Sequence, residues 1–420
     1  LDAAMSESEQ ALVERLREHR RWLNWIYSAV ADGMEPEAGL LAQIEDREVA
    51  ANQLADRLAT LRPRARITTP LSLDDVLRSI DDTTAILSYL AVGDSLSVQV
   101  ITRSGIAGAP DITTMPDLDE QVAALQFQIG RALVHGDAPV SARREARLQR
   151  DADAALSRLH DTLVGPIGHL LAGMSRIVVV PSGSLYAVPF AALRTADGYL
   201  VDRLEIVTAP SLSVLAAMHP DQHEGPFEPT HPLVAAVPDE YAPGLRDEAQ
   251  AVAARFSQAT LLLDNDATRD AILHAMAGAD LVHLACHGRF DPMLPNASGL
   301  RVADGWLTLD QLSAVRMHHP LMVLRGCETG RVRVSEGDDL EGMMAALIAA
   351  GAGGLVTSLW KTHDSAATSL VLELYTALER QLHPATALRH AQRLVRSRYP
   401  HPAMWAPFVA LHPGEKETSS

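Results

Sequence analysis

Two apolar runs that each stop on a reactive side chain constrain this chain more than any other feature. The run Asp280-Leu-Val-His-Leu-Ala-Cys-His287-Gly288 ends on an imidazole followed by glycine, and Leu321-Met-Val-Leu-Arg-Gly-Cys327-Glu-Thr-Gly330 ends on a thiol. Runs of this length and composition predict strands buried on both faces of a parallel sheet, which needs helices above and below it. In open α/β sheets the functional groups collect beyond the carboxyl ends of such strands, so two neighbouring tips place an imidazole beside a thiol.

The surrounding pattern agrees with that fold class. Strands are expected at 85–90, 95–102, 176–180, 233–237, 260–263, 280–286, 321–324 and 354–359. Helices are expected at 118–134, 141–163, 246–256, 268–276, 340–350 and 365–380. This alternation predicts an α/β sandwich with a mostly parallel sheet. The longest uncharged run, Met343 to Trp360, is broken by Gly351, Gly353 and Gly354, and reads as a buried helix followed by a buried strand rather than a membrane span. Ahead of the α/β region, Leu12, Leu16, Leu23, Ile26 and Val30, then Ile44, Ala51, Leu54, Leu58 and Leu61, keep a helical spacing interrupted near Gly33–Gly39, which predicts a helical hairpin, its seam too short for a self-contained dimerising coiled coil and better suited to packing on the adjoining α/β domain. Pro63 and Pro70 bracket a linker, and the tail from Gly414 to Ser420 is polar and expected to be disordered. The expected division is a hairpin over 1–62, two α/β halves over 63–230 and 231–413, and the tail over 414–420.

Composition excludes several function classes. With 36 Lys+Arg against 53 Asp+Glu the formal net charge is −17, which argues against direct contact with nucleic acid phosphates. Two cysteines in 420 residues exclude a disulfide framework and fit a reducing cytoplasm. The first ten residues lack the basic start and apolar stretch of a signal peptide. The scarcity of lysine, only Lys361 and Lys416, reads as genome composition rather than function.

At pH 7 a free thiol is mostly protonated and needs a base or a positive charge nearby to attack as thiolate, so His287 and Cys327 form the minimum for nucleophilic acyl transfer. Gly288, without a Cβ, lets the backbone approach a bound carbonyl, and its N–H with that of Cys327 makes a candidate oxyanion hole. From pattern alone the same residues also read as a strand-end histidine and an inert buried thiol. A zinc site at His283, Cys286 and His287 is disfavoured: on a strand the two histidines stand roughly 13 Å apart and Cys286 points to the other face. The same parity marks Cys286 as packing. No metal and no other cofactor is called for.

The segments Val178-Val-Val-Pro-Ser-Gly-Ser-Leu-Tyr-Ala-Val-Pro-Phe-Ala-Ala-Leu193, Ala209-Pro-Ser-Leu-Ser-Val-Leu215, His283-Leu-Ala-Cys-His-Gly288, Cys327-Glu-Thr-Gly330 and Ser358-Leu-Trp360 resemble, in order and spacing, the CHAT-domain proteins, relatives of caspases and separase. The resemblance covers roughly residues 63 to 412. It implies a caspase-like α/β/α sandwich of two caspase-like halves, the first catalytically silent, and a bacterial cysteine endopeptidase whose dyad falls on His287 and Cys327. It further implies a protein substrate, an activating sensor or tetratricopeptide-repeat partner, and roles in bacterial defence. The rival reading is an inactive caspase-like scaffold used for protein interaction.

Around the dyad, Trp360 and Asp364 are expected either to line the substrate cleft or to pack at its edge. Arg325 takes the position where caspases carry a glutamine that helps bind an aspartate, and a guanidinium there suits an acidic residue before the scissile bond. Pairing of Arg325 with a local acid is the structural alternative. Glu328 reads as a cap, Asp338, Asp339 and Glu341 as partners of a helix N-terminus, and 331–339 as a mobile activation loop or an ordinary solvated one.

Overall fold

The computed structural model describes residues 7–31, 34, 37–61, 76–77, 80–134, 141–217, 227–238, 242–289, 298–326, 332–334 and 340–412. Cys327 and Glu328, the linker prolines, the tail beyond 412 and most of the expected activation loop, with Asp338 and Asp339, lie outside these residues.

Helices α1 (Glu7–Ala31) and α2 (Ala38–Leu61) form the hairpin, closed by Leu16, Leu23, Ile26 and Tyr27 against Ile44, Ala51 and Leu54. Strands β1 (Thr84–Val92), β2 (Ser95–Thr102) and β3 (Gly105–Thr114) make an antiparallel meander. Helix α3 (Met115–Leu133) starts where Thr114 caps Asp117 N–H with proline in the first turn, and α4 (Ala142–Leu163) starts on the Ser141 cap. Strand β4 (Arg176–Val180), the hairpin β5 (Arg194–Thr195) and β6 (Gly198–Tyr199), helix α5 (Leu200–Arg203), strand β7 (Glu205–Thr208) and helix α6 (Leu212–Ala217) complete the first half. Its sheet runs β3-β2-β1-β4-β7, with β1, β4 and β7 parallel.

The second half carries β8 (Pro232–Ala236), α7 (Gly244–Ala253), β9 (Thr260–Leu263), α8 (Arg269–Met276) and β10 (Leu281–Ala285). A small meander comes next: β11 (Gly288–Arg289), β12 (Gly299–Val302) and β13 (Gly305–Thr308), leading into α9 (Leu309–Ala314). Then come β14 (Leu321–Arg325), the paired β15 (Val332–Val334) and β16 (Leu340–Gly342), α10 (Met343–Ala349), β17 (Gly354–Ser358), α11 (Asp364–Glu379), α12 (Pro384–Arg398), α13 (Pro402–Trp405) and β18 (Phe408–Leu411). The second sheet runs β18-β17-β14-β10-β8-β9, parallel except for β18, with β14 and β10 adjacent at its centre. The apolar runs that lead to His287 and to Cys327 are therefore neighbouring central strands whose carboxyl ends lie side by side.

Two expectations shift in detail. The strand expected over 280–286 stops at Ala285, and the helix expected from 340 begins at Met343 behind β16. Strand β3 and the meander β11–β13 are absent from the sequence-based expectation. The first is a largely exposed edge and the second consists of two- and four-residue strands, both too weakly patterned to stand out.

The two halves share one continuous apolar core. Trp405, without solvent exposure, packs edge-on to Tyr199 with ring centroids 5.0 Å apart, and Arg396 of α12 grips Asp202 of α5 with both terminal nitrogens (3.0 and 2.6 Å). Trp405→Ala should therefore cost about 3–5 kcal/mol and still leave one cooperative unfolding transition for both halves, checked by urea denaturation followed by circular dichroism.

Candidate functional site

His287 stands two residues beyond the end of β10, half-buried, and borders a small cleft lined also by Cys286, Arg325, Gly326, Lys361, Thr362 and Asp364, with Ala242 and Leu245 closing the apolar side. The neighbouring strand ends at Arg325, with Gly326 and Cys327 next in the chain. The ladder between the two tips ends on Cys286 N–H donating to the Arg325 carbonyl at 3.2 Å.

The meander holds the backbone on the far side of His287. Arg301 N–H donates to the His287 carbonyl at 2.7 Å, and Gly288 is paired with Leu300. This makes Gly288–Leu300 a pair without ladder bonds of its own, so the Gly288 N–H points away from β12. That is the condition an oxyanion donor at Gly288 has to meet.

Beneath the cleft lies a buried charged network centred on Glu248. Glu248 belongs to the inward stripe of α7, with Leu245, Ala249 and Val252, and is fully buried. Its Oε2 lies 3.2 Å from Arg325 Nε and accepts from Thr368 Oγ1 at 2.8 Å, while Oε1 lies 3.4 Å from His283 Nε2. His283 Nδ1 is 3.3 Å from the Tyr375 hydroxyl. Arg325 Nη2 donates to Asp364 Oδ1 at 2.6 Å and to the Asp364 carbonyl at 2.9 Å. Asp364 in turn accepts the Gly244 N–H at 3.0 Å, a contact that glycine permits, since a Cβ there would sit 2.6 Å from the carboxylate oxygen.

Burial alone would raise the Glu248 carboxyl, but the charge of Arg325 and the bonds from His283 and Thr368 outweigh it and hold the group below the usual carboxylate range. Burial, with Glu248 close by, pushes the Tyr375 phenol far up. An acid on the apolar stripe of an amphipathic helix is itself a signal, because it has no place there unless paired.

The expected site residues fare differently. His287, Arg325 and Asp364 border one cleft. Arg325 is 5% exposed and its guanidinium is held by Glu248 and Asp364, so it pairs with the chain's own acids, and a substrate acid would have to displace them. Trp360 turns to the core: its Nε1 donates to the Ala403 carbonyl at 3.1 Å, and Lys361 and Thr362 line the cleft in its place. Lysine scarcity alone gave Lys361 no functional weight, yet one of the two lysines stands at the cleft. His283 and Cys286 diverge as expected. The first faces Glu248, while the second is buried along an apolar cavity with Ile272 and Leu300 and also touches the cleft, because strand alternation ends before it.

The family model of the CHAT domain matches residues 153–413, more than half of the chain. The chain belongs to the CHAT domain family. It is 26% identical over 325 residues to tetratricopeptide repeat protein 28 of Mus musculus and 24% identical over 324 residues to that of Homo sapiens. In each case 62% of this chain and 13% of the relative are covered, so the chain spans about an eighth of the length of these proteins. Among solved structures it resembles separase of Saccharomyces cerevisiae in its complex with securin, with TM-scores of 0.58 and 0.56 in two crystal structures at 10% and 11% identity. These cover 81% of this chain and 30% or 31% of separase. The fold of this CHAT chain is caspase-like, mixed α/β with parallel sheets and a helical N-terminus.

A carboxylate whose folded pKa lies below its unfolded value stabilises the fold above the unfolded pKa and loses that contribution as pH falls through the folded one. Unfolding midpoints in urea should therefore drop below about pH 4.3, and the drop should be shallower in Glu248→Gln/Arg325→Met, which carries neither charge.

Proposed function

We propose that this CHAT domain is a cysteine endopeptidase acting through His287 and Cys327. The observation that carries the reading is the placement of His287 in a cleft at the carboxyl end of β10, beside the strand that leads directly into Gly326 and Cys327. In the reaction, the Cys327 thiolate attacks the scissile carbonyl carbon and a C–S bond forms. The oxyanion is met by the N–H groups of Gly288 and Cys327, and His287 gives its proton to the leaving amine as the C–N bond breaks. Water then hydrolyses the acyl-thioester and restores the thiol. None of these steps calls for a metal or an organic cofactor.

Among the described residues no helix is long and apolar enough to cross a membrane. The enzyme in this reading is bacterial and cytoplasmic and acts on a protein substrate in a defence response, without membrane or nucleic acid contact. Two cysteines in 420 residues and a net charge of −17 support it. Gating by a sensor or repeat partner has a physical route. Helix α1 lies against β13, and Arg20 Nε is 3.1 Å from Asp310 Oδ1 on α9, whose carboxyl is pushed up by burial with Arg20 opposing the rise. Strand β13 is paired through β12 to β11, next to His287. A load on the helical hairpin thereby has a route to the His287 backbone, through the contact of α1 with β13 and the pairing of β13, β12 and β11.

Co-incubation with proteins encoded beside it, comparing wild type with Cys327→Ala by mass spectrometry of new termini, tests activity and cleavage site together. Cys327→Ala and His287→Ala should each reduce cleavage by about 10⁴-fold or more with the fold retained. Cys286→Ser should instead cost about 1–3 kcal/mol of stability and keep activity. If Cys327 in the activated protein reacts with iodoacetamide no faster than a peptide thiol, and no new termini form, the scaffold reading replaces this one.

For the gating route, Arg20→Ala should change the partner-dependent cleavage rate by an amount equivalent to about 0.5–2 kcal/mol of coupling while leaving the cleavage site unchanged. An unchanged dependence on the partner in a folded Arg20→Ala protein would remove the hairpin from the route.

A further inference from the structure

Four elements, α7, β10, β14 and α11, meet at Glu248. Its carboxylate takes no part in acyl transfer, yet it divides its two oxygens between the two strands that lead to the dyad. Oε1 faces His283, four residues ahead of His287, and Oε2 faces Arg325, two residues ahead of Cys327. On the other side of the guanidinium, Asp364 fastens the same arginine to the first turn of α11 and, through Gly244, to the first turn of α7. The middle of β10 and the end of β14 thus face a single buried carboxylate, which also joins α7 to α11.

We propose that Glu248 and Arg325 are positioning residues, holding the tips of β10 and β14 at the separation that proton transfer between His287 and Cys327 requires. This rests on the peptidase reading above. Apolar packing would hold two central parallel strands together without the cost of desolvating ions, so stability gives little reason for an ion pair at this point. What an ion pair adds is stiffness of geometry. A strand tip that slides strips a buried charge of its partner, and an uncompensated buried charge costs several kcal/mol, whereas apolar contacts re-form after small slides. Acyl transfer needs that stiffness, because a misplacement of about 1 Å costs roughly a hundredfold in rate. The exposure of Arg325 points the same way: a specificity residue keeps its charge open towards the cleft, whereas this guanidinium is 5% exposed, donates through Nη2 to Asp364 and lies 3.2 Å from the Glu248 carboxylate through Nε.

The main readout is Cys327 itself and needs no substrate; cleavage of a peptide library is the second. The rate of Cys327 alkylation by iodoacetamide, resolved from that of Cys286 by peptide mass spectrometry, is measured from about pH 5 to about pH 9, a range that spans imidazole and thiol titration. The proteins compared are the wild type, His287→Ala, Arg325→Lys and Glu248→Gln/Arg325→Met, each with its circular dichroism and thermal midpoint. Lys361 and Asp364, the other charged groups at the cleft, are unchanged in all of them.

The wild type should keep a reactive thiolate well below the ordinary thiol pKa of about 8.5. The double variant removes both charges of the pair and leaves Asp364, partly exposed, on the Gly244 N–H; it should fold and take on the His287→Ala profile, losing at least about tenfold in rate near pH 6.5. Arg325→Lys keeps the charge without the planar fork and should lose severalfold. A folded double variant with the wild-type profile overturns the proposal. So does a wild-type profile combined with a raised KM or altered cleavage preference in Arg325→Lys, the mark of a substrate contact. Should the double variant not fold, Arg325→Lys decides, and an unchanged profile there overturns the proposal. Identical profiles for the wild type and His287→Ala would instead remove the dyad itself, and the positioning role with it.

Discussion

A carboxylate with no access to water has to be neutralised where it stands, and the neutralisation of Glu248 organises the centre of this protein. Its partners come from β10, β14 and α11, separated from it by between 35 and 120 residues of chain. Each partner is itself buried or half-buried, so none can leave without exposing another charge or polar group to an apolar surrounding. Fixing this cluster fixes where β10 and β14 end, and the candidate site is built on those ends.

The sheet topology supplies the rest. Parallel strands at the centre of the second sheet release their chains on one edge, and the helices on both faces leave that edge as the place where polar groups can gather without disturbing the core. The first half, with its own sheet, shares the core and is locked on by the Tyr199–Trp405 contact and the Asp202–Arg396 fork. Among the described residues neither interaction involves the lining of the cleft.

Beyond the strands, the short meander β11–β13 gives the site its second attachment. It holds His287 by a backbone bond on one side and meets the helical hairpin on the other. A segment of so few residues has little stability of its own and draws its order from what it touches, which is the property a connection between a helical extension and an active-site loop needs.

The alternation of apolar runs with helical segments, the hairpin spacing of α1 and α2, and the two runs ending on His287 and Cys327 were all legible in the sequence, because burial on a strand or helix face imposes a local period. Local periodicity placed His283 within the sheet but ended at Ala285, so it did not set where Cys286 faces. It did not reveal that Arg325 would be shared by Glu248 and Asp364, that Trp360 would turn to Ala403, or that Lys361 would line the cleft. Those outcomes depend on contacts across 39 to 77 positions of sequence, and a guanidinium reads the same in one dimension whether it awaits a substrate carboxylate or already holds two of its own. The chemistry available to this chain is written in its residue types. Which acid meets which base was decided only when the helices closed over the sheet, because charge pairing in a low-dielectric interior is set by distances of a few ångströms that no spacing along the chain encodes.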